Sequence, residues 1–382
     1  MVEGVVQAAS QRTALDELHR QQLYPVNLEQ VDAQAERRRR AGAANALAVF
    51  ARTLATMLGA GVPLDRALAF GAEQVRHPTV AAAARQLRVD VQGGASLAEA
   101  MRRQPSAFGP VVIAMVASGE ESGALDLVMA RLADHLDELA ELKSQVRASL
   151  LYPTFMAVAA GVGITVLLLF VVPRFVSMLD QVGGTLPLST RILVGASAIV
   201  TGWWWLLLVL GALLAIAARW WLARSENRQR WHAARLGWPL VGELELAYVT
   251  ARYARALGML LASGRSVLPS LRVARSAVTN LELGARFDRA TEAVSQGQRL
   301  HVALAGTLPP LACELMAVGE ESGKLDELCV RIADSYDNDV RRALRSLVGI
   351  IEPSLILLFA VVVGFVALAM LQAIYSLNAS VL

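Results

Sequence analysis

Cysteine is nearly absent. The 382 residues hold two, Cys313 and Cys329, both in one helical stretch. That excludes a disulfide framework and suits a reducing compartment, with buried inert thiols as the default. Charge is also scarce, at 18% of residues against about 25% in an ordinary soluble domain. The formal net charge is only +3, and basic residues with interleaved aromatics are missing. No nucleic acid is expected as a partner. Met1–Ser10 has no basic segment leading into an apolar one, so no cleavable signal peptide is expected. The five histidines (His19, His77, His135, His232, His301) show no metal-ligand spacing. The two cysteines are 16 residues apart, too isolated for a zinc pair. A Gly-x-Ser-x-Gly elbow is absent. Period-two β-branched runs, the signal of strands, are absent from residue 41 onward. The expectation is therefore no catalytic residue, no cofactor, no metal and no enzyme.

What is present is apolar surface: 55% hydrophobic residues and a mean hydropathy of +0.45. Three windows carry no charge, between Arg147 and Arg174, between Arg191 and Arg219, and from Pro353 onward. Each exceeds the roughly 20 apolar residues that cross a bilayer. Backbone in lipid must satisfy its own polar groups, so these windows are expected to be helices. The membrane windows lack Asp, Glu, Lys and His at their centres. An ion or proton path normally needs one, which counts against a small-solute transporter or channel, the rival reading.

Arginine and lysine orient the spans. Arg131, Lys143 and Arg147 precede the first. Arg219, Arg224, Arg228, Arg230 and Arg235 follow the second. Arg331, Arg341, Arg342 and Arg345 precede the third. Only Arg174 and Arg191 are basic in the loop between spans one and two. The basic sides are placed in the cytoplasm, with the short loop and the C-terminus in the periplasm.

The chain also repeats itself. Gly119–Gly123 and Gly319–Gly323 are both Gly-Glu-Glu-Ser-Gly, 200 residues apart. Leu125-Asp126 recurs as Leu325-Asp326, Arg131–Asp134 as Arg331–Asp334, and Pro153 as Pro353. Upstream the offset is 203: Ala51–Leu54 matches Ala254–Leu257 and Gly61 matches Gly264. A three-residue deletion in the second copy, before Pro310, reconciles the two. Leu47, Phe50, Leu54, Met57 and Leu58 recur at helical spacing. Gly61 ends that helix, and Pro63 suits the first turn of the next. Further breaks at His77-Pro78, Gly93-Gly94, Pro105, Gly109-Pro110 and Gly119 to Gly123 divide each copy into six helices. The last helices, about 124–150 and 324–350, have no break before their spans. They are positioned to couple cytoplasmic motion to the membrane.

The first 40 residues read differently: strands at Val2–Val6 and Tyr24–Val31, a helix over 11–22, and a linker at Arg37–Arg40. Those arginines serve either as a solvated hinge or as a contact with anionic lipid, at about 1 kcal/mol each near the surface.

Two readings apply to the repeated acidic box. In one, Gly119 permits close packing, Ser122 N-caps the last helix, and the glutamates favour its positive end. In the other, Glu120, Glu121, Asp126, Glu320, Glu321 and Asp326 form acidic surfaces for a partner or a divalent cation. The run Gly319–Leu325 is a poor phosphate loop. Three residues separate its glycines where four are needed, and Leu325 stands where Ser or Thr would hold magnesium.

Three stretches resemble the type II secretion F protein family: Phe50–Leu68, the doubled box followed by Tyr152-Pro153 and Glu352-Pro353, and Val171–Leu193. The likeness covers nearly the whole chain. It marks Gly61, Pro63, Gly119, Ser122, Gly123, Tyr152, Pro153, Gly319, Ser322, Gly323, Glu352 and Pro353 as structural motif positions. In the second copy Ser266 stands for Pro63 and Leu268 for Asp65, and the N-terminal module looks shortened. The resemblance implies an inner-membrane platform of a type II secretion or type IV pilus machine. Its implied partners are a hexameric cytoplasmic ATPase, pilin or pseudopilin helices, other inner-membrane components, the lipid bilayer and further copies of itself.

The expected fold is thus an all-α membrane protein. It has a truncated N-terminal α+β module and basic linker at 1–40, and a first cytoplasmic six-helix bundle at 41–150. Transmembrane helix one at 151–178, a periplasmic loop at 179–190 and transmembrane helix two at 191–218 follow. A second six-helix bundle at 243–350 and transmembrane helix three at 351–377 complete it.

Overall fold

The computed structural model describes residues 33–174, 177, 191–195, 197, 202, 204–239 and 241–381. The expected strands at 2–6 and 24–31 and the helix at 11–22 lie outside the described residues. So does the whole loop at 179–190. Everything described is helix or short connection, apart from one isolated bridge between Ala305 and Leu308.

The first repeat comprises α1 (Ala33–Gly59), α2 (Leu64–Gln74), α3 (Pro78–Gln92), α4 (Leu97–Arg102), α5 (Pro110–Ser122) and α6 (Leu125–Val166). The linker expected at Arg37–Arg40 is instead taken into the first turns of α1. The physical reason is local: Ala33–Ala41 holds only good helix formers and no breaker. The apolar residues of α1 face inward as their spacing requires, with Phe50, Ala51 and Leu54 fully buried. Gly61 then adopts φ +77°, and the Val62 N–H returns to the Met57 carbonyl, a closed C-terminus that only glycine makes without strain. Pro63 is the N-cap of α2, one position earlier than expected.

Between the repeats the described residues include α7 (Trp204–Ala223) and α8 (Ser225–Leu236). The second repeat comprises α9 (Val241–Ala262), α10 (Val267–Ala274) with a 3-10 turn to Ala277, α11 (Leu281–Ser295), α12 (Leu300–Ala303), α13 (Pro310–Ser322) and α14 (Leu325–Val381). Each repeat encloses its own apolar core. Phe50, Leu54, Leu68, Leu87, Leu97, Met101 and Met115 fill the first. Tyr253, Leu257, Phe287, Leu304 and Met316 fill the second.

The exits from the repeats are continuous. α6 passes through Pro153 and into a π-helical turn at Leu167–Val171. α14 passes through Pro353 and continues to Val381. At 1.5 Å per residue each is roughly 70–85 Å long. Leu125–Arg174 and Leu325–Gln372 contain apolar windows long enough to cross a membrane, and only 11% of each window is buried. Phe155, Val158, Leu357, Leu358 and Val361 point outward, uncovered by protein. A soluble core helix would be covered there, so lipid is the fitting solvent. The second expected span is described in full only from Trp204, as α7.

Candidate functional site

The two Gly-Glu-Glu-Ser-Gly boxes each form the last turn of a helix, α5 or α13, and the reversal into the long exit helix. Gly123 and Gly323 take the left-handed conformation at φ +69° and +71°. They are the C-cap residues of the two helices. Ser122 does not N-cap α6, contrary to expectation. Its Oγ donates back to the Ser118 carbonyl at 2.8 Å, as Ser322 Oγ does to Val318 at 2.7 Å. The reversal explains this, because the serine is spent inside the preceding helix and Ala124 holds the N-cap position. Gly119 and Gly319 are spacing residues. A Cβ on Gly119 would stand 3.2 Å from the Leu125 Cα, and one on Gly319 would stand 3.0 Å from the Leu325 Cα. The box brings two helices into backbone contact.

The first glutamate of each box does cap a helix, but a different one from that expected. Glu120 accepts from the N–H groups of Leu97 and Ala98 at 2.5 and 2.9 Å. It thereby satisfies the first free donors of α4 and places negative charge at its positive end. Glu320 repeats the arrangement on α12, accepting from Leu300 N–H at 3.1 Å and His301 N–H at 3.5 Å. The His301 ring adds a 2.8 Å contact to the same carboxylate. Burial pushes the Glu320 carboxyl upward, but these hydrogen bonds outweigh it and hold it below the usual range. Glu121 and Asp126 are exposed, Asp326 is half-buried, and Glu321 lies 3.6 Å from Arg299 at the surface. Among the described residues no group of three or more His, Cys, Asp or Glu gathers as a metal set.

A second constellation escaped the sequence reading. Arg52 reaches from α1 to Asp134 at 2.7 Å and Asp137 at 2.6 Å on α6. Arg255 reaches from α9 to Asp334 at 2.6 Å and Asp337 at 2.8 Å on α14. The matches Arg52/Arg255 and Asp134/Asp334 were visible as repeats, yet nothing in the sequence paired arginine with aspartate. These clamps tie the first helix of each repeat to its exit helix.

The seam between repeats is the third feature. Ser118 Oγ donates to the Ser263 carbonyl at 2.6 Å, Arg131 Nη1 to the Ala262 carbonyl at 2.9 Å, and Arg265 Nη1 to the Ala114 carbonyl at 3.3 Å. Met259 and Leu260, from α9, are buried in the core of the first repeat. Above the seam the exit helices run side by side. Arg341 meets Gln145 at 3.2 Å, Tyr152 meets Glu352 at 3.4 Å, and Phe359 packs 3.5 Å from where a Gly163 side chain would start. Tyr152 and Glu352 were marked as motif positions, and here they stand opposite each other. Pro153 and Pro353 are absorbed in the two helices.

Among the described residues the repeats differ on their flanks. In the first, Ala46, Val49, Val75, His77 and Pro78 line an open groove. In the second, α8 lies over the corresponding position: His232 Nδ1 accepts the N–H of Leu281, the counterpart of Pro78, at 3.0 Å.

The geometry is that of a scaffold: capped helix junctions, clamped exits and a polar seam. Comparison with known proteins agrees. The family model for type II secretion system (T2SS) protein F matches residues 50–173 and again 253–373. The chain is similar to the type II secretion system protein F of Aeromonas hydrophila, at 33% identity over 97% of each chain. It is equally similar, at 33% identity, to the type IV pilus assembly protein PilC of Thermus thermophilus, over 99% of this chain and 95% of that one. A protein F of Vibrio cholerae matches at 33% over 98% of this chain and 95% of its own. With both repeats matched and relatives aligned nearly end to end, the chain belongs to the type II secretion system protein F family.

Proposed function

We propose that this protein is the inner-membrane platform of a type II secretion or type IV pilus machine. The observation that carries the reading is the pair of unbroken helices, α6 and α14, that leave clamped helical repeats and continue as apolar segments. A force applied to either repeat passes along its exit helix, because no loop intervenes to absorb it. The repeats are two six-helix bundles on the cytoplasmic side, and three spans cross the bilayer, with the C-terminus in the periplasm. A hexameric ATPase engages the bundles. The spans contact pilin or pseudopilin helices and other membrane components, and the platform self-associates. Glu120 and Glu320 are committed to helix capping, which leaves Glu121, Asp126, Glu321 and Asp326 as the acidic positions for a partner.

Affinity purification of the full chain from native membranes tests this. A secretion or pilus ATPase is expected to copurify, and deletion is expected to abolish filament assembly or secretion. Recovery without the ATPase, together with normal assembly in the deletion strain, would overturn it. Reporter fusions after residues 230–340 are expected to register cytoplasmic, and fusions after the last span periplasmic.

A further inference from the structure

The seam joins unlike faces. The first repeat supplies a receiving face from α5 and α6: Ala114 and Ser118, both buried, and Arg131. The second supplies an inserting edge, the end of α9 and the start of α10: Leu260, Ala262, Ser263 and Arg265, with Val273 packed behind. Because the repeats are copies, the second repeat also owns a receiving face, and the first also owns an inserting edge.

Both spare surfaces are uncovered. On the spare receiving face, Leu311 is 52% exposed and Val318 55% exposed, and Glu314 and Arg331 are exposed beside them. Their counterparts in the first repeat, Ala114 and Ser118, are sealed by the seam. On the spare inserting edge, Ala60 is exposed, Met57 is half-buried and Phe70 is 41% exposed. Their counterparts Ser263, Leu260 and Val273 all lie at the seam. Two of the three seam contacts keep a matched counterpart, while the third, Arg265 to the Ala114 carbonyl, becomes Val62 opposite Glu314. The hydrogen-bonded pair Ser118 and Ser263 becomes the apolar pair Val318 and Ala60. Arg331 retains the guanidinium that binds a helix-end carbonyl in the first repeat, and the Gly59 carbonyl would receive it.

The relation between the repeats is head-to-tail, the kind that closes into a ring or extends as a filament according to its rotation. A two-fold relation between repeats would be isologous and would bury both pairs of faces within one chain. Here one pair is buried and the other is not, so the relation is heterologous. Tyr152 and Glu352 stand at equivalent levels and touch at 3.4 Å, so the operation carries little translation along the exit helices. Repeated, it keeps every copy at one height in a bilayer.

We infer that a second copy of this chain docks there, setting its Met57–Phe70 edge on the α13–α14 face around Val318. This deepens the self-association proposed above and is independent of the ATPase.

Paired cysteine variants test it in membranes, in the full chain with Cys313→Ala and Cys329→Ala. One chain carries Ala60→Cys and a differently tagged chain carries Val318→Cys. Mild oxidation of the coexpressed pair is expected to give a mixed dimer at least tenfold above either variant alone. Adding Arg331→Glu is expected to remove most of it. A Ser118→Cys, Ser263→Cys chain, closing within itself, reports that the fold is intact. With that closure present, absence of the mixed dimer, or equal crosslinking by either single variant alone, would overturn the inference. Loss of ATPase copurification with the mixed dimer retained would instead count against the functional reading only.

Discussion

Arg52 and Arg255 make the same clamp in different surroundings. The Arg52 side chain is 45% exposed, and its two aspartates face water. Asp137 and Asp134 hold its guanidinium above the ordinary value through hydrogen bonds, but solvent screens the pair. The Arg255 side chain is only 10% exposed, because α6 of the first repeat lies across it and brings Glu138 to 3.6 Å. Burial alone would lower its pKa, yet Asp337 and Asp334 reverse that. A duplicated ion pair has thus become a surface contact in one copy and a structural one in the other. The position of the neighbouring repeat decides which. Arg255→Ala is expected to destabilise the protein by about 2.5 kcal/mol, because a covered guanidinium with charge-assisted hydrogen bonds is lost, while Asp334 and Glu138 stay more than half exposed. Arg52→Ala should lose about 0.5 kcal/mol. Denaturant titration in detergent measures both, and equal losses would erase the distinction.

The acidic boxes offer the opposite comparison, since here the copies agree. Glu120→Ala and Glu320→Ala each leave two backbone donors of a short helix without their carboxylate, and each is expected to lose about 2 kcal/mol. Glu320→Ala should lose more than Glu120→Ala, because His301 also loses a partner, whereas Ala98 stands at that place in the first copy. Hydrogen exchange at Leu97 and Leu300 reads the local opening directly.

A smaller effect separates Gly258 from its counterpart Ala55. A Cβ at Gly258 would lie 3.0 Å from the Asp326 carbonyl oxygen and 2.9 Å from Val330. Gly258→Ala should therefore destabilise by about 1.5 kcal/mol despite improving helix propensity. Ala55→Gly is expected to lose about 1 kcal/mol, through helix propensity and the loss of a buried methyl. If Gly258→Ala stabilises instead, α9 and α14 are not held as closely as described.

Much of this architecture was legible in the sequence because helices announce themselves locally. Phe50 and Leu54 are buried where their spacing placed them, and Gly61 closes α1. The unbroken exits follow from the lack of any break between Leu125 and the first apolar window. Two of the failures are local and two are tertiary. Arg37–Arg40 looked like a linker because a charge run has no apolar face, yet nothing in it stops a helix. Ser122 looked like an N-cap because capping residues precede helices. The sharp turn at Gly123 consumed it in the helix before. Glu120 was tied to the N-terminus of α6, but the helix it caps is α4, which follows from folding rather than adjacency. The clamps were invisible because an arginine and an aspartate more than 80 residues apart carry no mutual signal in one chain.

A further contrast concerns a position where the repeats differ outright, His135 against Ser335. His135 Nδ1 is sealed and lacks a hydrogen-bond partner, beside a small cavity lined by Glu138, Arg252, Arg255 and Arg341. Burial first, then Arg255 and Arg252, lower its pKa to about 4. The unfolded chain takes up a proton near pH 6.5 and the folded one resists it. Stability from this site is therefore complete above pH 6.5 and is lost as pH falls toward 4. Between pH 7.5 and 5.5 the loss is about 1 kcal/mol. Glu138, pushed upward chiefly by its own burial, is present in both proteins compared. The informative quantity is thus the difference between wild type and His135→Ser. That variant makes the first repeat resemble the second, and it is expected to flatten the pH dependence of denaturant stability by that amount, whatever its absolute stability. An unchanged slope would mean that His135 meets water, and that the seam above Arg255 is open.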